Sequence, residues 1–426
     1  MPALRWVLLA LMVAGPLLAA CGPGSASGGQ ATATAPPTDT PAATAMPTAP
    51  VPTATATATS LPTPAPTPTP AGPVAHQLPG GTVMLPAGFT IDIFAEDIGA
   101  PRFMAVRPSD GLLFVADMSG GRVLILPDAD RDGKADETIV FASGLNRPSS
   151  VAFYQDWVYV GETDKISRFS APGNALAPVG AKEVVIPDLP TGGHFTRTVV
   201  FGPDGKLYVS IGSSCNVCIE EDERRAAISV YEPDGSNGRL YATGLRNAVG
   251  LAWQPGTNQL WATVNGRDHL GDDLPPDDLR MIDEGVFYGW PYCYNGPHPN
   301  PEFNDPARCA NVPPDTVELP AHAAALGLTF GNDLNAPQPF TDSIYIAYHG
   351  SWNRSVPTGY KVVRVPLTDA QPGEPEDFAW GWLPGDPNNP GEPWGRPVGV
   401  TVGSDGALYV SDDAFGRIYR IAWTGE

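Results

Sequence analysis

The sequence predicts an all-β fold, a six-bladed β-propeller preceded by a disordered Thr/Pro/Ala-rich stalk. Three observations predict it. A hairpin-rich unit recurs six times along the 426-residue chain, and such periodicity marks repeat architectures. No stretch carries a long 3.6-residue apolar period with caps, so helices should be few and short. Residues 21–75 hold too little apolar bulk to offset the entropy of ordering them.

In chain order, residues 1–20 carry one cation, Arg5, and a short apolar core ending in Leu18-Ala19-Ala20-Cys21. That is the pattern of a lipoprotein signal peptide, with an ordinary secretory signal as the plainer alternative. The expected mature protein starts at a lipidated Cys21 and lies outside the cytoplasm, lipid-anchored to the cell membrane without spanning it. Residues 21–75 are almost only Ala, Thr, Pro, Gly and Ser, with Asp39 the sole charge. This disordered linker should act as a semi-stiff spacer.

Residues 76–426 form the expected propeller domain. Its repeats read PRFMAVRPSDGLLFVADMSGGRVLILP (101–127), PSSVAFYQDWVYVGETDKISRFS (148–170), TRTVVFGPDGKLYVSIGSS (196–214) and NAVGLAWQPGTNQLWATVNG (247–266). A longer copy starts at Leu326, and PVGVTVGSDGALYVSDDAFGRIYRIAW (397–423) closes the chain. Each is an apolar strand, a Pro/Asp/Gly turn, a β-branched and aromatic strand, a small polar corner and another strand. Insertions follow Ser213, Gly266 and His349. These are equivalent places in different repeats, so they should cluster at one end of the channel.

The formal net charge of −21 falls almost wholly in this domain. A surface so acidic repels nucleic acid. Besides Cys21 the chain has Cys215, Cys218, Cys293 and Cys309. An even number in an exported protein favours disulfides, Cys215–Cys218 and Cys293–Cys309. A zinc half-site or redox pair at Cys215/Cys218 lacks a second C-x-x-C or a thioredoxin-like surround.

Chemistry concentrates between Thr191 and Leu251. His194 follows two glycines, and an imidazole suits proton abstraction. Arg224, Arg225, Arg246, Arg354 and Arg396 fall at corners beside repeat strands, where guanidinium forks would hold an anionic ligand. Asp128, Asp130 and Asp132, with Gly133 and then Asp136, form a D-x-D-x-D-G loop suited to calcium, although the late glutamate of an EF-hand is replaced by Ile139.

The motifs GGHFTRTV, GSSCNVC with RRAA, ATGLRNAVGLAW, the NGRD loop with YGWP, and HGSWNR occur in this order across the domain. In them the chain resembles the glucose/sorbosone dehydrogenases, six-bladed quinoproteins that use pyrroloquinoline quinone (PQQ), and it looks closest to the sorbosone or pyranose dehydrogenase branch. The resemblance implies that His194 is the base, with Arg246 polarising the quinone. Arg246, Asn247, His349, Trp352, Asn353, Arg354, Arg396, Arg224, Arg225 and Arg147 would contact PQQ. The carbonyls of Gly266 and Arg267 would hold the calcium that PQQ coordinates. It further implies a sugar substrate and an external electron acceptor. A calcium-dependent lactonase-type propeller and a non-catalytic binding propeller are the alternative readings.

Overall fold

The computed structural model describes residues 72–386 and 389–425. The signal peptide, Cys21 and nearly all of the linker expected over 21–75 lie outside them. Val74 and Ala75, within the stretch expected as linker, belong to a strand, Val74–Leu78.

Among the described residues the chain is an all-β propeller. Five four-stranded sheets and one seven-stranded sheet carry it, all antiparallel, beside two two-stranded ribbons. Helix is confined to one turn, Pro306–Cys309, and a 3-10 turn, Pro172–Asn174. The first strands of successive repeats are Pro101–Val106, Ser150–Tyr154, Arg197–Phe201, Ala248–Trp253, Ala325–Phe330 and Pro397–Val402. Each touches the next, and the last touches the first, so these strands close a ring. The strand Phe89–Ala95, which precedes the first repeat, completes the sheet of the last repeat by pairing with Arg417–Trp423. The two strands before it, Val74–Leu78 and Gly81–Leu85, join the seven-stranded sheet instead.

Strand composition explains the packing. Second strands such as Leu207–Ile211 and Leu260–Val264 are buried at every position because both faces meet a neighbouring sheet. Phe114, Val123, Ile125, Val151, Val158 and Val160 fill one such gap. Around the ring, hydroxyls bond to the next repeat's inner strand: Ser150 Oγ donates to the Arg197 carbonyl at 2.7 Å and Ser411 Oγ to that of Arg102 at 2.6 Å. Thr263 Oγ1 does the same to Leu326. Phe103, Val249, Leu326 and Val398, from four inner strands, form an apolar cluster. Close approach there demands glycine: a Cβ on Gly250 would lie 2.2 Å from the Leu326 carbonyl oxygen.

Both expected disulfides form, Cys215–Cys218 and Cys293–Cys309. The second ties down the long excursion between strands Asp277–Ile282 and Val317–Leu319.

Candidate functional site

Inner strands and the loops beside them enclose a cavity of about 250 Å³. It gathers His194, Arg246, Asn247, Gly266, His349 and Trp352 from three separate repeats. Of the insertions expected to cluster, those after Gly266 and His349 reach it through Asp268 and Trp352, whereas no residue of the one after Ser213 is among its lining.

His194 sits ahead of the strand Arg197–Phe201. Its Nδ1 lies 2.9 Å from the Ser213 carbonyl oxygen. A carbonyl only accepts, so Nδ1 carries the proton and Nε2 keeps its lone pair. Burial, reinforced by the Arg246 charge, pushes the imidazole down to about 4 from 6.5, against the Ser213 bond and Asp268. At neutral pH His194 is an uncharged acceptor, the state a general base needs.

Arg246 is buried and its five N–H groups all have acceptors. Nε donates to the Asn216 carbonyl at 3.1 Å, and Nη2 to Asn216 Oδ1 and Asp268 Oδ2 at 3.0 Å each. Nη1 donates to the carbonyls of Gly266 and Asn265. What Arg246 offers the cavity is a fixed positive charge. Asp277 fixes the other side of Gly266, accepting from its amide at 2.9 Å and from the amides of Ala324 and Ala325. Burial still pushes the Asp277 carboxyl up to about 6.

A second ionic chain joins His349 to two residues that the sequence did not single out, Arg102 and Asp413. Arg102 Nη1 donates to Asp413 Oδ2 at 2.7 Å, and His349 Nε2 to Asp413 Oδ1 at 2.8 Å. Burial would raise Asp413, but the bonds to His349 and Arg102 prevail and hold its carboxyl well below the usual range. Arg102 itself lines the cavity, as do Asp268 and His322. Its signal was an arginine at the head of the first repeat, the place Arg246 takes in another.

The other expected arginines do not line the cavity. Arg224 bonds to Asp222 and to the Asp188 carbonyl. Arg225 turns into the protein and holds the carbonyls of Pro190, Thr191, Gly192 and Gly212. Both were expected to grip the cofactor, and here their guanidinium groups are engaged by protein acceptors. Carbonyls in the turns leading to His194 need donors, and buried backbone acceptors capture a guanidinium as firmly as a ligand would. Arg354 is likewise taken by the carbonyls of Val356, Asp272 and Ala321 and by Asp273. Arg396 supports the site from behind, donating to the His349 and Gly350 carbonyls at 3.1 and 2.8 Å. Arg147 lies over the Phe195 ring at 4.0 Å.

Asn353 reaches the site through Asp268, whose Oδ1 it meets at 3.0 Å. Its own Oδ1 is buried without a hydrogen-bond partner among the described residues. Trp352, 70% exposed, stands at the mouth. The Arg267 side chain is held away by Asn300 and Glu302, leaving its backbone for other work.

Away from this cavity, the carboxylates of Asp128, Asp130 and Asp132 lie within 4.8 Å of one another. Asp136 instead accepts from the Ala129 amide at 2.6 Å.

The TrAA12-like family model matches residues 83–300 and 295–424. A Borreliella burgdorferi protein of uncharacterized function is 29% identical over 357 residues, covering 80% of this chain and 90% of that one. The PQQ-dependent pyranose dehydrogenase of Coprinopsis cinerea is 30% identical over 293 residues, covering 54% of this chain but only 39% of that enzyme. Among solved structures, the holo form of its PQQ domain matches with a TM-score of 0.68 at 22% identity, over 81% of this chain and 98% of the domain. The calcium structure of a Trichoderma reesei carbohydrate-active enzyme of family AA12 matches equally, at 21% identity over 83% and 98%. At such identities the structural likeness speaks for the fold. The matched profile spans nearly the whole propeller, and the chain belongs to the TrAA12-like family of PQQ-dependent sugar dehydrogenases.

Proposed function

We propose that this chain is a PQQ- and calcium-dependent dehydrogenase that oxidises an aldose, sorbosone or related carbohydrate. In this reading the six main sheets are six blades, carried on a disordered stalk outside the cytoplasm and anchored through lipid on Cys21. One observation carries the reading: His194 is held neutral, with Nε2 unprotonated, in the same cavity as two buried guanidinium groups and the Gly266 carbonyl. The names of the relatives support PQQ as cofactor and a sugar as substrate.

The donor set fits the cofactor. Arg102 and Arg246 supply positive charge to an acidic quinone, Asn247 an amide, and Gly266 and Arg267 carbonyl oxygens to a hard divalent cation. The buried Asn353 Oδ1 without a partner lies in the same network. When bound, PQQ supplies a two-electron acceptor for hydride. His194 Nε2 takes the proton of the sugar hydroxyl as the C–H bond yields its electron pair and the C=O bond forms. Nδ1–H, bonded to the Ser213 carbonyl, keeps the ring oriented while it charges. The fixed charge of Arg246 stabilises the negative charge that develops beside it without reorganising. Arg102 and His349, locked by Asp413, form a further part of the lining. Electrons then leave to an acceptor outside the cavity. A second calcium is proposed between Asp128, Asp130 and Asp132.

The test is reconstitution with PQQ and calcium, followed by a screen of sugars with an artificial electron acceptor. Dye reduction that requires sugar, PQQ and His194 supports the reading; no turnover with any sugar in a PQQ-loaded protein refutes it.

A further inference from the structure

We propose that Asn216, enclosed by the Cys215–Cys218 bridge, is the positioning residue that sets Arg246 against His194. The inference rests on the function proposed above and concerns a residue that is not among those lining the cavity.

Asn216 uses both its backbone and its side chain. Its carbonyl accepts from Arg246 Nε at 3.1 Å and from Trp290 Nε1 at 3.2 Å. Its Oδ1 accepts from Arg246 Nη2 at 3.0 Å and from the Asp268 amide at 2.7 Å. Its Nδ2 donates to the Asp268 carbonyl at 3.1 Å. Asn216 thus fixes one whole edge of the guanidinium, and also the residue whose carboxylate completes that edge. With Nε and Nη2 held, Nη1 is turned toward Gly266. A carboxamide makes all three side-chain contacts with one planar group, and the contact that holds Arg246 is an acceptor contact, which a carboxylate would keep.

The same short loop holds the base. Ser213 accepts from His194 Nδ1 through its carbonyl at 2.9 Å, while its hydroxyl donates to the Cys215 carbonyl at 2.7 Å. The Ser214 amide donates to Glu220 at 2.7 Å. A disulfide spanning three positions narrows the conformations open to a loop with no regular secondary structure. The bridge therefore serves to hold Ser213 and Asn216 at a fixed separation, and through them the base and the cation. This accounts for a cysteine pair just after the second strand of its repeat, Leu207–Ile211, without metal or redox chemistry.

The charged groups that face His194 are Arg246, Arg225 and Asp268. Loosening Arg246 removes part of the field that keeps the imidazole neutral. Asn216→Ala, Asn216→Asp and the double variant Cys215→Ser/Cys218→Ser test this, with thermal unfolding as the check on folding and Asn216→Ser in reserve should the alanine variant not fold. The first readout needs no cofactor: NMR titration of His194 in protein labelled at its six histidines. In Asn216→Ala the midpoint is expected to rise from about 4 toward 6.5. In the reconstituted enzyme kcat should fall about tenfold or more, as misplaced catalytic groups do, with KM for sugar little changed. Asn216→Asp keeps both acceptor contacts and should recover most of kcat. The cysteine double variant should follow the alanine variant in direction. An unmoved His194 midpoint, or an aspartate variant as impaired as the alanine one, overturns the proposal. A wild type that binds no PQQ would end the functional reading, yet the imidazole titration would still decide the role of Asn216.

Discussion

The state of His194 makes the sharpest prediction. A solvent-exposed imidazole titrates near 6.5, whereas burial and the Arg246 charge bring this one to about 4. With this group as the proposed base, activity is present when it is neutral and is lost as pH falls through its own pKa. At pH 5 an imidazole with a pKa of 4 is about 90% neutral, against roughly 3% for an unperturbed one. That is a difference of about thirtyfold in competent enzyme at a single pH. The assay is kcat/KM against pH in the PQQ- and calcium-loaded protein, using an acceptor whose reduction does not itself change with pH. Wild type should hold its kcat/KM from pH 7 down to 5 and fall only as pH nears 4. His194→Ala should lose about 10²–10⁴-fold throughout. Arg246→Gln should move the acid limb upward as the neighbouring charge is removed. A wild-type limb near 6.5, or an alanine variant that keeps wild-type rate, would refute the reasoning.

Further predictions follow from individual contacts. Arg102→Ala should weaken PQQ binding by about tenfold or more, because it removes a buried charge-assisted donor, while Arg224→Ala, tied to Asp222 outside the cavity, should leave it unchanged; fluorescence titration with PQQ separates the two. Arg225→Ala leaves four carbonyls short of their donor and should cost about 1–3 kcal/mol in chemical denaturation. Gly250→Ala drives a methyl group into the Leu326 carbonyl and should cost about 1–3 kcal/mol, read as a lower unfolding midpoint. Calcium should raise the thermal midpoint without PQQ through the Asp128 loop, and Asp130→Ala should abolish that part of the rise while leaving PQQ affinity intact.

Much of the fold was legible because the propeller writes the same strand–turn–strand pattern into every repeat. Leu113–Asp117 and Leu408–Asp412 follow the same turn chemistry and occupy the same place in their sheets. Less legible was the ring closure, in which Phe89–Ala95 pairs with Arg417–Trp423, since pairing across the whole domain leaves no local trace. The site divided in the same way. His194, Arg246 and Asn247 stand out because they sit just ahead of inner strands in one stretch of chain, and Gly266 because it lies in the NGRD motif. Arg102 went unread because its partner Asp413 lies 311 residues away. Arg224 and Arg225 misled for the opposite reason: an arginine beside a strand looks the same whether it meets a ligand or a turn's carbonyls. Only the three-dimensional path of residues 190–196 distinguishes them. Asn216 lay hidden between two cysteines that drew attention to themselves.

The most direct test of the central claim is an anaerobic single turnover. PQQ and calcium are bound to the purified protein, excess sugar is added, and the quinone absorbance is followed. The account predicts loss of the oxidised spectrum in proportion to bound PQQ with at least one aldose or sorbosone-type sugar, and none on the same timescale in His194→Ala. A PQQ-loaded wild type whose spectrum stays unchanged with every sugar, or a His194→Ala variant that converts as fast as wild type, would contradict it.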